Sequence, residues 1–314
     1  MKRIILLLVL SLSIFSCMQP YKGLKTMEFE ELQYPYPVKY QALSNDITLA
    51  YVDEGEGTPI IFVHGLGSYL PAWQKNIEGL KNEYRCIAVD LPGYGKSSKG
   101  DYSFSMEFYA DVLNEFMQSL NLRKAIFAGH SMGGQISMVM ALKYPELVKG
   151  LILIAPAGFE TFSEGEKQWF REVMTIDLVK NTPVNTIRAN VVANFYNMPD
   201  DAEFMITDRI ALRKAKDFEW YCHTVSKSVA GMVDQPVVDK LHLIQQPTLI
   251  LFGENDNLIP NPYLHGGRTE DIGKIGNETI PNSTLVLIPS CGHFAQFEKP
   301  DVVNGEIKKF LNSL

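Results

Sequence analysis

Six five-residue segments constrain this chain more than anything else in it: Pro59–Val63, Arg85–Val89, Lys124–Ala128, Gly150–Ile154, Thr248–Phe252 and Thr284–Ile288. Each is apolar with hardly a polar interruption. A strand with one wet face alternates apolar and polar residues. A strand covered on both faces reads as a continuous apolar run. Helical spacing lies between these segments, at Ala72–Asn82, Met106–Leu120, Gly133–Lys143 and Asp301–Leu314. Such alternation predicts an α/β chain with a mostly parallel central sheet flanked by helices, its crossovers right-handed. Ile47–Val52 alternates and predicts a further strand ahead of the Glu54-Gly55-Glu56-Gly57 turn.

The pattern breaks between Gly158 and Lys240. That stretch keeps helical spacing, is rich in Met and aromatic residues, and contains no buried-strand run. It predicts a helical cap inserted between two strands. The core is then expected in two parts, 29–157 and 241–314, on either side of a cap over 158–240. Of the cap's large apolar residues, most belong to its own core, and some must face the site to wall an apolar pocket. Phe159 and Met232, near the two hinges, are the candidates.

The amino terminus follows another logic. Lys2 and Arg3 precede an apolar run from Ile4 to Phe15, then Ser16 and Cys17. The run falls short of the about 20 residues that span a bilayer and fits a secretory signal. Ile14-Phe15-Ser16-Cys17 resembles a bacterial lipobox, so residues 1–17 are expected as a signal ending in a lipidated Cys17. That would make a membrane the anchor partner, with 18–28 as a tether. An ordinary cleaved signal or a signal anchor are the alternatives. A formal net charge of −7 without a basic run speaks against nucleic acid. No CxxC or Cys/His ligand spacing occurs, so no metal is expected. Cys86 reads as a small buried hydrophobe, and a Cys222–Cys291 disulfide is a possibility that spacing alone does not support.

The chemistry is concentrated in Gly129-His130-Ser131-Met132-Gly133, directly after one buried run and directly before a helical pattern. A serine on such a strand-to-helix turn occupies a strained backbone conformation that lifts its hydroxyl out of the sheet. The hydroxyl is a poor nucleophile without a base in reach. His293 follows the last strand, in Ser290-Cys291-Gly292-His293. His130 points elsewhere by the geometry of the turn, and His223, His242 and His265 lack the post-strand setting. Asp256, in Gly253-Glu254-Asn255-Asp256 after the preceding strand, is the carboxylate to orient the base. Glu254, Asp234 and Asp239 are its rivals. An oxyanion needs two backbone donors; the N–H groups of Met132 and of Leu66, in His64-Gly65-Leu66-Gly67, are assigned to it. Gly95-Lys96-Ser97 mimics the end of a phosphate loop, but Asp90 stands where its first glycine is required.

Together with His64-Gly65-x-Gly67, Asp90-x-Pro92-Gly93-x-Gly95-x-Ser97 and Gly253-x-x-Asp256, these motifs resemble the α/β-hydrolase superfamily from about Leu49 to the carboxyl terminus. The resemblance implies an α/β-hydrolase fold and an acyl-enzyme mechanism carried by Ser131, His293 and Asp256, with no cofactor. It also implies a small-molecule ester or lipid as substrate, as for a carboxylesterase or lipase. Epoxide hydrolases and dehalogenases of the superfamily use an aspartate nucleophile, which Ser131 opposes. Cys291-Gly292-His293-Phe294-Ala295-Gln296 is similar to the end of meta-cleavage C–C bond hydrolases. Where those enzymes carry a Gly-Pro-Gly loop, this chain has Ser68-Tyr69-Leu70, so the ester reading leads. A lipid-anchored binding protein with an unused triad is the alternative of another class.

Overall fold

A computed structural model describes residues 21–314. Eight strands form one sheet: β1 (Lys39–Ala42), β2 (Thr48–Glu54), β3 (Pro59–Val63), β4 (Arg85–Val89), β5 (Ala125–His130), β6 (Val148–Ile154), β7 (Thr248–Gly253) and β8 (Ser283–Ile288). Their order is β1-β2-β4-β3-β5-β6-β7-β8. β1 and β2 run antiparallel to their neighbours, and all pairs from β4 to β8 are parallel. Every apolar run of the sequence is therefore a central or flanking parallel strand.

The continuous apolar character has a direct cause. On one face Ile61, Val63, Ile87, Val89, Phe127 and Leu153 pack against α2 (Met106–Ser119) and α3 (Met132–Lys143). On the other, Ile60, Phe62, Ala88, Ile126, Ile152 and Ile154 pack with Trp73, against α1 (Gln74–Leu80) and α11 (Pro300–Leu311). Alternate residues of the central strands β3 to β7 enter different cores and are almost all buried, while the edge strand β8 is only partly covered. β1 carries no such signal because it is a largely exposed edge strand, and the sequence pattern passes over it.

Between β6 and β7 the chain forms the helical cap, with α4 (Glu164–Val173), α5 (Ile176–Asn181), α6 (Val184–Val192), α7 (Phe204–Ala211) and α8 (Phe218–Asp234). Helix α9 (Thr269–Thr279), between β7 and β8, has no counterpart in the sequence reading. Its Gly273 and Gly276 weaken a helical signal, yet they let it approach Leu285 and the ring of Phe159 closely. The short α10 (Ala295–Glu298) follows the last loop. Among the described residues no helix is long and apolar enough to cross a membrane. Residues 1–20, with Cys17, lie outside the described residues.

Residues 21–28, expected as a tether, run against the cap. Tyr21 donates to Glu203 at 2.7 Å, Met27 N–H donates to Ala211 O at 3.2 Å, and Lys216 N–H donates to Glu28 at 3.0 Å. Cys222, on α8, and Cys291, after β8, are buried free thiols, so the considered disulfide is absent. The Gly95-Lys96-Ser97 turn is built around buried Asp90. Its carboxylate accepts from Lys96 N–H and Leu70 N–H, both at 2.7 Å, and from the Tyr34 hydroxyl. The turn is a structural knot, not a phosphate cradle.

Candidate active site

The carboxyl ends of β5, β7 and β8 deliver Ser131, Asp256 and His293 to one cavity of about 1400 Å³ between sheet and cap. Ser131 sits between β5 and α3 at φ 53°, ψ −118°. A non-glycine residue reaches that region only when its surroundings enforce it. Here the enforcement is visible. Ser131 N–H donates to Ile154 O on β6 at 3.0 Å, and Ser131 O accepts from Gly134 N–H at 2.9 Å. A side chain on Gly129 would overlap the carbonyl of Gly133, and one on Gly133 would overlap the carbonyl of Val63. The glycines of the motif are thus required by contact between strand and helix.

His293 Nδ1 lies 2.7 Å from Asp256 Oδ2, and both side chains are almost wholly buried. The other oxygen of Asp256 accepts from Leu258 N–H at 2.8 Å and Ile259 N–H at 3.1 Å, which fixes the carboxylate's orientation. Among the described residues no hydrogen bond joins Ser131 Oγ to His293; in free enzymes such contacts are often long and tighten with substrate. Of the rivals, Glu254 lines the cavity but is exposed to solvent. Asp234 is engaged by Arg171 at the surface.

Leu66 lines the cavity, and Met132 N–H opens helix α3. Among the described residues neither N–H has a protein acceptor. His64, which the sequence marked only as part of a motif, holds this loop. Its Nδ1 donates to Gly65 O at 2.8 Å, and its Nε2 accepts from Leu91 N–H at 3.1 Å. Ser68 N–H also donates to Gly65 O. In a planar trans peptide the N–H opposes the C=O, so pinning the Gly65 carbonyl aims the Leu66 N–H the other way. Burial lowers the His64 pKa to about 4, against a smaller opposing effect of the Gly65 carbonyl. The ring is therefore neutral.

His130 has a function the sequence did not reveal. Its Nε2 donates to the backbone O of His293 at 3.0 Å, tying the serine turn to the histidine loop. Glu298 also went unseen. It accepts from Gly292, Tyr196 and Asn197 N–H at 2.8, 3.1 and 2.7 Å, clamping that loop against the cap. His265 joins the cavity wall between Glu160 and Glu166, 3.1 Å from the latter. Burial opposes its imidazolium, but the two carboxylates win and raise its pKa. None of the three carries a local sequence signal, because each acts on at least one partner far along the chain.

Met232 lies on the cavity wall; Phe159 does not. Just past Gly158 its ring turns inward, beside Phe252 and over Gly276 of α9, where the missing side chain leaves it room. The wall is also less apolar than expected. Met174, Leu178, Met205 and Val229 are joined by Asn190 and Arg209.

A side chain on Gly65 would stand 3.1 Å from Ser131 Cβ and 2.9 Å from His130 Nδ1. Gly65→Ala is expected to push the Leu66 peptide outward and lower any turnover at this site about tenfold. The thermal midpoint should change far less. Initial rates and a melting curve on the same preparation check this.

A sheet of this order, with a glycine-flanked serine after β5, a carboxylate after β7 and a histidine after β8, defines a class. The chain belongs to the α/β-hydrolase fold family, whose model it matches over residues 58–300. It is 30% identical to a candidate esterase/lipase of Haemophilus influenzae, over 81% of this chain and 84% of that one. It is 27% identical to the 2-hydroxy-6-oxo-6-(2'-aminophenyl)hexa-2,4-dienoic acid hydrolase of Metapseudomonas resinovorans, over 83% and 87%. At 28% identity it spans 64% of the length of a Pseudomonas putida relative, the dihydrolipoyllysine-residue acetyltransferase component of an acetoin cleaving system. Among solved structures it is similar to a probable hydrolytic enzyme from Pseudomonas aeruginosa PAO1, with a TM-score of 0.81 and 27% identity, over 92% of this chain and 99% of that one.

Proposed function

We propose that this protein is a serine hydrolase of carboxylic esters, working through an acyl-enzyme on Ser131. One observation carries the reading: Ser131, held in its strained conformation, opens into the same cavity as the hydrogen-bonded His293–Asp256 pair. His293 takes the proton as Ser131 attacks the ester carbonyl. The N–H groups of Leu66 and Met132 receive the oxyanion. His293 then protonates the leaving alcohol, and water repeats the sequence to release the acid. Similarity to the Haemophilus esterase/lipase candidate supports the ester class. The apolar part of the cavity wall suits an apolar acyl chain.

A fluorophosphonate probe tests this. Intact mass is expected to show one adduct, located at Ser131 by peptide mapping, with none on folded Ser131→Ala. A wild-type protein that hydrolyses no ester in a chain-length series and takes no label would instead be a binding protein on this fold.

A second reading, C–C hydrolysis of a carboxylate-bearing dienone, rests on Arg209. Its guanidinium lies 4.2 Å from the centroid of the Tyr221 ring on the cavity wall, and among the described residues it forms no ion pair. An unpaired cation in a cavity favours an anionic substrate group. Arg209→Gln should raise KM about tenfold for carboxylate-bearing substrates and leave neutral esters unchanged. Steady-state kinetics on a matched pair of esters, with the dienone alongside, decides between the readings.

We also propose lipidation at Cys17, with the protein anchored at a bacterial envelope membrane. The positive–apolar–Ser16-Cys17 pattern supports it. The intact mass of protein extracted from membranes reads the acyl groups directly.

A further inference from the structure

The anchor reading leaves very little chain between a lipidated Cys17 and the folded body. Tyr21 is already docked, on Glu203 at the start of the cap's α7 segment. Four residues, fully extended, reach about 14 Å. Tyr21 must then stay within about that distance of the anchor, and the surface beside it belongs to the cap. Met27 and Glu28 continue along it to Ala211 and Lys216.

Its composition is that of an interfacial face. Leu24 is 39% exposed, Trp220 on α8 42% and Leu178 on α5 53%. Trp220 lies in the first turn of α8, whose Glu219 reaches Lys180 of α5, and Leu24 lines a shallow depression with Thr207, Asp208 and Ala211 of α7. Lys216 pairs with Glu30, and Glu219 with Lys180, so these charges are satisfied by one another. Amphipathic and aromatic side chains of this kind settle at the boundary between headgroups and acyl chains. Leu178 also lines the cavity that holds Ser131, and α6 and α7 contribute Val191 and Met205 to its wall.

We propose that the cap face formed by residues 21–27, the start of α8 and helix α5 lies on the lipid bilayer. Ester substrates would then enter the cavity from the leaflet without crossing bulk water. The inference rests on the Cys17 anchor and goes beyond it, because an anchor on a long tether would leave every face equally free.

The test uses the full chain extracted from membranes and reconstituted in phosphatidylethanolamine/phosphatidylglycerol vesicles doped with nitroxide-labelled lipid. A thiol-reactive fluorophore is placed on Leu24→Cys, Leu178→Cys or Lys149→Cys. Native Cys86, Cys222 and Cys291 are buried. Lys149 is exposed near the amino end of β6, opposite the cap. Quenching at least threefold stronger at 24 and 178 than at 149 is expected. Equal quenching at the three positions, or stronger quenching at 149, on acylated and vesicle-bound protein overturns the orientation alone. A mature chain without acyl groups that stays in the supernatant overturns the anchor reading and this proposal with it.

Discussion

Replacing Asp256 by Asn is expected to lower kcat for ester hydrolysis about 10⁴-fold with little change in KM. The size of the effect follows from which oxygen does what. One carboxylate oxygen is committed to the N–H groups of Leu258 and Ile259, at 2.8 and 3.1 Å, and the other to His293 Nδ1 at 2.7 Å. An amide at this position keeps its oxygen on the two backbone donors, since turning it would set its NH₂ against them. The NH₂ then faces Nδ1 and donates to it. His293 is forced into the tautomer that carries its proton on Nε2, the nitrogen that must accept from Ser131. Geometry, volume and hydrogen-bond count survive while the base is disabled. Steady-state kinetics with a chromogenic ester check this, beside a melting curve matching the wild type. A fall in kcat of less than tenfold would mean that Asp256 is not the partner that sets the tautomer.

The second large effect concerns stability against pH, and His64 causes it. Folding lowers its pKa from 6.5 to about 4, because the ring is buried, against a smaller opposing effect of the Gly65 carbonyl. The unfolded chain takes up a proton near pH 6.5 that the folded chain refuses. Stability contributed by neutral His64 is therefore present above the unfolded pKa and is lost as pH falls from about 6.5 towards 4. At 1.36 kcal/mol per pKa unit the loss reaches about 3 kcal/mol. Burial and the neighbouring His293 lower the pKa of His130 as well, so it acts in the same direction. Asp90 acts in the opposite one. Burial raises its pKa to about 6, so the folded state binds the extra proton as pH falls from 6 to the unfolded value of 3.8. The wild-type curve thus contains opposed contributions, and a variant is needed to separate them. His64→Asn keeps an N–H donor for Gly65 O and has no titration near neutrality. Its stability deficit relative to wild type should shrink by about 3 kcal/mol between pH 7 and pH 4. Urea midpoints of both proteins at several pH values measure it. A deficit constant across that range would show that His64 titrates normally.

Much of the site was legible because the motif residues meet local demands. Gly129 and Gly133 are glycine because strand and helix touch within five residues of one another, a requirement that any window over Ser131 displays. The residues that hold Ser131, His293 and the cavity wall in place were not legible. His130 grips the carbonyl of His293, Glu298 clamps the loop to the cap, and the wall at His265 joins α4 to the segment after β7. These partners are brought together by sheet order and cap docking. Phe159 shows the same limit from the other side. Its hinge position suggested the pocket, and Gly276 of a helix more than a hundred residues away gave it a place in the core instead.

The sequence alone pointed to seven of the eight strands, to a helical insertion between two of them, and to Ser131, His293 and Asp256 as the residues to watch. Two-sided burial, strand-to-helix turns and loop positions after strands are written in consecutive residues. The tertiary structure alone decided which side chains wall the cavity, that Arg209 faces it without a carboxylate partner among the described residues, and that residues 21–28 lie along the cap. Those outcomes depend on how distant elements pack, and packing between distant elements leaves no periodicity along the chain.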